Sequence, residues 1–410
     1  MSTTGVSFTN WVGNQTCTVR RRVSPGSEAE VQEVVREAAE RGEGVRVVAT
    51  GHSFTPVHLT EGTLIDLAAF DGIASIDAAA RRVRSQPGTS IAGFGDPLWD
   101  AGLALPNQGD IDTQCITGAI GTGTHGSGIG LTSFSGTLRG CRVVTGTGDV
   151  VAIDERTPDL LAAAQVAVGT LGVMTEVEIE VAPAYRLAER IEHWSFDEMI
   201  EQFDERVASH RHFSMFWCPT ERSPGLYGLE MEPGKPSADN CYVKLYDEAP
   251  DDLPDSDEPR RRVGRSYRIY PAVFEPNFHE LEYFVRFDRA KEALAAMREL
   301  MLASQPDAVF PLEVRTVGED GGYLSSQYGT PTLVLSVSGE PGTDYWPYLR
   351  AVDRLLGEGF DARVHWGKLH FLTRDQLMRR YPRAQDFIDI RRRLDPAGIF
   401  LNDHLRPLLA

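Results

Sequence analysis

Val31, Val34, Val35, Ala38 and Ala39 recur at helical spacing directly after Ser27-Glu28-Ala29-Glu30, which reads as a capping box, and Gly42 and Gly44 mark the stop. Val45-Arg46-Val47-Val48-Ala49 predicts a short buried strand that empties into the loop Thr50-Gly51-His52-Ser53-Phe54-Thr55. Further strands are predicted at 64–67 and 82–85, with a helix at 91–101. Residues 141–145 and 150–153 flank Gly146-Thr147-Gly148-Asp149 as a β-hairpin. A helix at 159–168 leads through Gly169-Thr170-Leu171-Gly172 into an alternating strand at 173–181.

After Pro183 aromatic residues become commoner and glycines rarer, which places a domain boundary there. The stretch 310–317 reads as a strand, and residues i and i+2 share one strand face, so Glu313 and Arg315 project together. Taken alone, such a pair is most simply a salt-bridged exposed face. A strand-like stretch at 361–366 precedes Lys368. Helices at 374–381 and 384–394 end at Asp395-Pro396-Ala397-Gly398.

The chain has 410 residues, 41% hydrophobic and 24% charged, the profile of a soluble globular protein of two or three domains. Its 41 basic and 59 acidic residues give a formal charge of −18, which argues against nucleic acid as a partner. Much of that charge sits at 247–258, which reads as a solvated acidic loop. Five scattered cysteines without Cys-x-x-Cys suggest neither disulfides nor zinc, and no His-Glu-x-x-His occurs, so no metal is expected. The opening Met-Ser-Thr-Thr-Gly-Val-Ser-Phe lacks the basic and apolar parts of a secretory signal, and no apolar run reaches about 18 residues. A cytoplasmic protein without membrane contact is expected.

Six of the 39 glycines fall within 118–130. Gly121-Thr-Gly123-Thr-His-Gly126 spells G-x-G-x-x-G, but no helical apolar period follows it, so it fails the context of a nicotinamide-binding fingerprint. On spacing alone, an anion nest of backbone N–H groups formed without a helix and an Ω-like surface loop remain equal readings.

Seven segments in order resemble the vanillyl-alcohol-oxidase type of flavoproteins, and more narrowly their sugar-lactone and alditol oxidase branch. They are Thr9-Asn10-Trp11, Gly51-His52-Ser53-Phe54, Leu105-Pro106-Asn107-Gln108-Gly109-Asp110 and the stretch Gly118 to Gly126. Glu313-Val-Arg315, His365-Trp366-Gly367-Lys368 and Leu394-Asp395-Pro396 through Asn402 complete the set.

The resemblance implies a two-domain α+β fold: a PCMH-type FAD domain at 1–183, a substrate (cap) domain with a mainly antiparallel sheet at 184–370, and C-terminal helices packing back at 371–410. It implies FAD joined covalently through His52. Val47, Val48, Ala49, Thr50, Gly51, His52 and Ser53, together with Thr122, Gly123, Thr124 and His125, would line the cofactor, with Gly118 and Val173 nearby. Cys115 stands where relatives carry Ser, as a flavin contact or a small buried residue.

Glu313 and Arg315 match substrate-contacting residues, and Lys368 matches a lysine at the flavin N1/O2 edge. Asp110 replaces the serine of alditol oxidases. Ser336 and Ser338 stand where those enzymes have His and Thr, which favours the lactone branch. Gly109 matches the position that governs oxygen access near flavin C4a.

The activity implied is oxidation of a secondary alcohol of a sugar 1,4-lactone (L-gulono-, L-galactono- or D-arabinono-) by hydride transfer to flavin N5, with O2 giving H2O2. Alternatives are an alditol oxidase acting at C1 of xylitol or sorbitol, or a lactone dehydrogenase with another electron acceptor. A monomer or small homo-oligomer is expected.

Overall fold

Three large sheets and a two-stranded ribbon, Leu103–Ala104 with Ala182–Pro183, carry the chain in a computed structural model that describes residues 2–272, 278–304 and 308–410. In the first, strands Ser2–Thr9, Thr16–Val23, Thr63–Asp66 and Val45–Val48 lie side by side in that order; the first pair is antiparallel and the others are parallel. Helix Glu28–Glu40 covers this sheet, burying Val31, Val35 and Ala38 against Val23, Val45 and Ile65. Ser27 caps it by accepting from the Glu30 N–H (3.3 Å), but the Glu30 carboxylate takes the Gly26 N–H (2.9 Å) rather than that of Ser27. The predicted box is therefore displaced by one residue.

The second sheet is antiparallel throughout, in the order Ile73–Asp77, Arg82–Ser85, Val173–Glu180, Leu138–Val144, Val150–Asp154. The predicted helix at 91–101 breaks into a 3-10 turn, Ala92–Phe94, and a short helix, Gly95–Asp100, because Pro97 has no N–H to return to the Gly93 carbonyl.

The third sheet has eight strands, all antiparallel: Val263–Arg265, Arg186–Ser195, Asn240–Glu248, His212–Cys218, Leu312–Val317, Thr332–Gly339, His279–Arg286 and Arg363–Val364. Strand alternation sorts its side chains. Leu281, Tyr283, Val285, Val314, Leu333 and Leu335 share a core with Met199 and Phe203 of helix Phe196–Ser209 and with Leu294 and Met297 of helix Ala290–Ala303. Glu280, Glu282, Glu313, Arg315, Ser336 and Ser338 occupy the intervening positions. The acidic tract is tethered rather than free: Asp247 and Glu248 end a strand and bind His210 (2.7 Å) and Arg211 (2.8 Å), and Arg186 holds Asp255.

Helices Arg374–Arg380 and Ala384–Leu394 bring the chain back to the first sheet, where Val45 N–H donates to the Ile399 carbonyl (2.8 Å) and Asn402 Nδ2 to those of Pro56 and Leu59 (2.7 and 3.0 Å). Buried Arg46 gathers the carbonyls of Val57, Val168, Gly169 and Phe400. No helix of the described residues is long and apolar enough to cross a membrane.

Burial pushes His52, His58 and His404 down to about 4, and His212, His365 and His370 down to about 3. The unfolded chain binds protons near pH 6.5 that the folded chain refuses, so stability rises with pH across this window and falls on acidification. Urea denaturation should show a loss of more than about 3 kcal/mol between pH 7.5 and pH 5. A flat profile would mean that these imidazoles reach solvent.

Candidate active site

The loop after strand Val45–Val48 turns at Gly51, whose φ of +64° suits glycine. Three conspicuous segments meet around it. Trp11 N–H donates to the Gly51 carbonyl (2.9 Å) and Asn10 Nδ2 to that of Ser53 (3.0 Å). Phe54 N–H reaches the Gly367 carbonyl (2.7 Å) and Thr55 Oγ1 that of Trp366 (3.0 Å). The asparagine-tryptophan pair and the His365–Lys368 turn thus clamp the loop that presents His52. The His52 ring stacks on Trp11 (4.8 Å between centroids), and its buried Nδ1 has no hydrogen-bond partner. Burial, then the nearby Lys368 charge, holds this imidazole neutral with a pKa of about 4.

A cavity with about 1850 Å³ of empty space, counting its open mouth, is lined from two sides. One side is rich in backbone and comes from residues 46–58, 109–125 and 167–174; the other is the polar face of the third sheet. A cleft lined by two different parts of the chain is a usual place for a bound small molecule.

Val47, Val48, Ala49, Thr50, Gly51, His52, Ser53, Gly109, Asp110, Cys115, Gly118, Thr122, Thr124 and His125 all line it, as do Glu313, Arg315 and Lys368. Three expected site residues do not. Gly123 ends helix Ile116–Thr122 in a left-handed turn, and Val173 packs into the core while its neighbours Gly172 and Met174 reach the cavity. Ser338 stands behind Tyr227, with 2.5 Å between the hydroxyls.

The glycine cluster also differs from expectation. Its first half is helical, and the helix precedes the glycine motif instead of following it. Gly126 is there for packing, since a Cβ would collide with the Gln108 carbonyl and the Asn107 side chain. At Gly118 and Gly121 a Cβ would meet no protein atom within 4 Å, and both line the cavity. A bare cradle at Gly118 and Gly121 and an unpartnered imidazole nitrogen at His52 suit a flavin dinucleotide. Burial keeps the Cys115 thiol protonated, pushed up to about 11, so it is a small buried neighbour.

On the sheet side, register assembles the charges. Glu282 lies opposite Ser336, Ser336 opposite Glu313 and Glu313 opposite Phe216; in the next row Arg315 faces Ser214, which faces Lys244. Asp110 arrives from the other side of the cavity. Its Oδ2 accepts from an Arg315 Nη (2.6 Å), Arg315 Nε donates to Glu313 (2.7 Å), and Lys244 stands 3.6 Å from Asp110 Oδ1. Burial works against the Asp110 charge, but Arg315 and Lys244 outweigh it and lower its pKa. Lys368 pairs with Glu280 and lies over the Phe54 ring at 4.9 Å. Burial lifts Glu280 above the usual carboxylate range, whereas the Glu280 and Glu282 charges offset the burial of Lys368 and keep it protonated.

His125, Glu282 and His365 form a buried cluster. His125 Nδ1 donates to the Gly126 carbonyl (2.8 Å) and Nε2 sits 3.0 Å from Glu282. His365 Nδ1 accepts the Gly367 N–H (3.0 Å), so its Nε2 carries hydrogen and is a donor, not a lone pair for a cation. Glu280 and Glu282 were not predicted, although the alternation in His279-Glu-Leu-Glu-Tyr-Phe-Val resembles that around Glu313.

A family model described as D-arabinono-1,4-lactone oxidase matches residues 177–230 and 234–408, and one described as FAD binding domain matches residues 19–154. The chain is 32% identical to an L-gulono-1,4-lactone dehydrogenase of Mycobacterium tuberculosis, covering 98% of this chain and 99% of that protein. It is 29% identical to an alditol oxidase of a Streptomyces species, over 98% and 99% of the two chains. Among solved structures, a cholesterol oxidase from B. sterolicum superposes with a TM-score of 0.86 at 14% identity, over 100% of this chain and 97% of its own, and shares the fold.

Proposed function

The chain belongs to the D-arabinono-1,4-lactone oxidase family, and from that premise we propose that it oxidises a secondary alcohol of a sugar 1,4-lactone of the gulono, galactono or arabinono type, with O2 as electron acceptor. It is an FAD-dependent oxidoreductase. We assign the cofactor to residues 1–183, the substrate to 184–370, and the closure of the site to 371–410.

The observation that carries the reading is Arg315, locked between Asp110 and Glu313 at the cavity. Its hydrogen bonds to described residues use Nε and one Nη, which leaves the other Nη for a substrate hydroxyl. Because both carboxylates fix the guanidinium beforehand, orienting the hydroxyl costs little reorganisation. Phe54, Phe216, Tyr227 and Phe278 form an aromatic wall, with centroids 5.3–6.0 Å apart along it, that keeps water from the reacting carbon. When bound, the flavin supplies the acceptor for the hydride. Lys368 holds a positive charge where negative charge develops. Residues 47–53 and 118–124 would hold the cofactor.

The neutral imidazole of His52, with Nδ1 unpartnered, supports a covalent bond to the flavin. Denatured wild-type protein should retain flavin fluorescence on a gel, and His52→Ala should lose it while still binding flavin when native. Fluorescence retained by the variant would remove His52 from this role.

At Gly109 a Cβ would meet the Ile111 carbonyl at 3.6 Å and the His125 carbonyl at 3.8 Å, so packing tolerates alanine there. Gly109→Ala should slow flavin reoxidation by air about tenfold or more without slowing reoxidation by a dye, a change of at least about 1.4 kcal/mol. Equal slowing with both acceptors would dissociate Gly109 from oxygen.

The function itself is tested by anaerobic mixing with panels of lactones and polyols, followed by air. Bleaching by lactones and rapid return of colour in air are expected. Bleaching by polyols alone would make the enzyme an alditol oxidase. Return of colour only with artificial acceptors would make it a dehydrogenase, the name carried by the Mycobacterium relative.

A further inference from the structure

Removing hydride from an alcohol carbon turns C–O–H into C=O and leaves one proton to be placed. Among the described residues, four carboxylates and four imidazoles line the cavity. Most are already committed. His365 is a donor at Nε2, and His125 donates Nδ1–H to the Gly126 carbonyl (2.8 Å) with its Nε2 3.0 Å from Glu282, so both of its nitrogens are engaged. Glu282 spends one oxygen on His125 (3.0 Å) and the other on the Ser336 hydroxyl (2.5 Å). Asp110 Oδ2 and Glu313 Oε1 are taken by Arg315, and Lys244 stands 3.6 Å from Asp110 Oδ1. His52 lies against Trp11, and His58 packs edge-on at 5.1 Å to Phe8 of the first sheet.

Glu280 differs. It is 4% exposed, lines the cavity, and among the described residues its one side-chain hydrogen bond comes from Lys368, which also lines the cavity. The groups that face it are Lys368 from the turn after Arg363–Val364, Glu282 on its own strand, Glu313 from Leu312–Val317, and Tyr227. Ser338 lies opposite it in register.

We propose that Glu280 is the base of the reaction: its carboxylate takes the hydroxyl proton as the hydride and its two electrons leave the carbon for the cofactor. The inference rests on the alcohol-oxidation reading above. It gives the Glu280–Lys368 pair a second purpose. Once protonated, Glu280 no longer neutralises Lys368, whose charge is released at the moment the cofactor gains negative charge. Burial, which favours the neutral acid, moves the carboxyl toward working pH, where a base is most effective.

The test uses the holoenzyme under anaerobic conditions with the lactone that bleaches it. In the wild type the bleaching rate should rise with pH through one limb, because only ionised Glu280 accepts the proton. Glu280→Gln should lower the plateau about 10²–10³-fold and abolish the limb, with the substrate dissociation constant changed less than about threefold. Glu280→Asp should keep the limb at reduced rate. The midpoint potential of the bound flavin, read by dye equilibration without substrate, should move positive in Glu280→Gln because Lys368 is then unneutralised.

A limb that survives in Glu280→Gln, or a loss confined to substrate binding, overturns the assignment. If Glu280→Gln does not fold, Glu280→Asp decides: a wild-type rate and unshifted limb overturn it, and a slowed rate with a retained limb supports it. No bleaching of the wild type by any lactone would instead overturn the proposed function.

Discussion

Gly121→Leu protein should purify folded and nearly colourless. Gly121 lies in helix Ile116–Thr122, is buried, and presents a Cβ direction with no protein atom within 4 Å, toward the cavity. A leucine there improves helix propensity by about 0.5–1 kcal/mol while its side chain occupies the cofactor's cradle. The two effects have opposite signs and separate the two explanations of the glycine. If Gly121 serves the fold, the variant melts earlier. If it serves the cofactor, the melting temperature of the flavin-free protein is unchanged or higher, and the flavin-to-protein absorbance ratio falls below about a tenth of wild type, a binding loss of at least about 1.4 kcal/mol. Full flavin loading would remove this helix from the cofactor site.

Arg315→Ala should lower kcat/KM for the lactone about 10³-fold, the scale set by removing one preorganised donor from a buried site. It should also cost about 3–5 kcal/mol of stability, because Asp110 is left buried with Lys244 alone, 3.6 Å away. Arg315→Lys is the informative partner. It restores the charge and much of the stability, but a single ammonium cannot bridge Asp110 and Glu313 and still offer a donor, so activity should recover less than about tenfold. Rates of anaerobic flavin reduction against lactone concentration separate the losses. A loss entirely in substrate dissociation would make Arg315 an anchor with no part in the transition state.

Strand parity alone puts Glu313 and Arg315 on one face, and the same parity was present for Glu280 and Glu282. What parity does not supply is which strands lie side by side. Glu282, Ser336 and Glu313 form a row only because strand Thr332–Gly339 pairs on both sides. Asp110 meets Arg315 across 205 positions of chain. Helix Ile116–Thr122 was unreadable for a different reason. Two glycines in seven residues depress its propensity, and contacts outside it, such as the Val168 N–H donating to the Gly121 carbonyl (2.9 Å), help hold it. The family resemblance located the loop at His52, but its orientation depends on Asn10, Trp11 and Gly367, which come from both ends of the chain.

The four carbonyls gathered by Arg46 bear on how the protein is made. A ribosome delivers Val57 first, Val168 and Gly169 more than a hundred residues later, and Phe400 more than two hundred after those. Until Phe400 emerges, Arg46 lacks one of the acceptors that make its burial tolerable. The nascent amino-terminal half therefore waits, incompletely closed, until residues near 400 have been made.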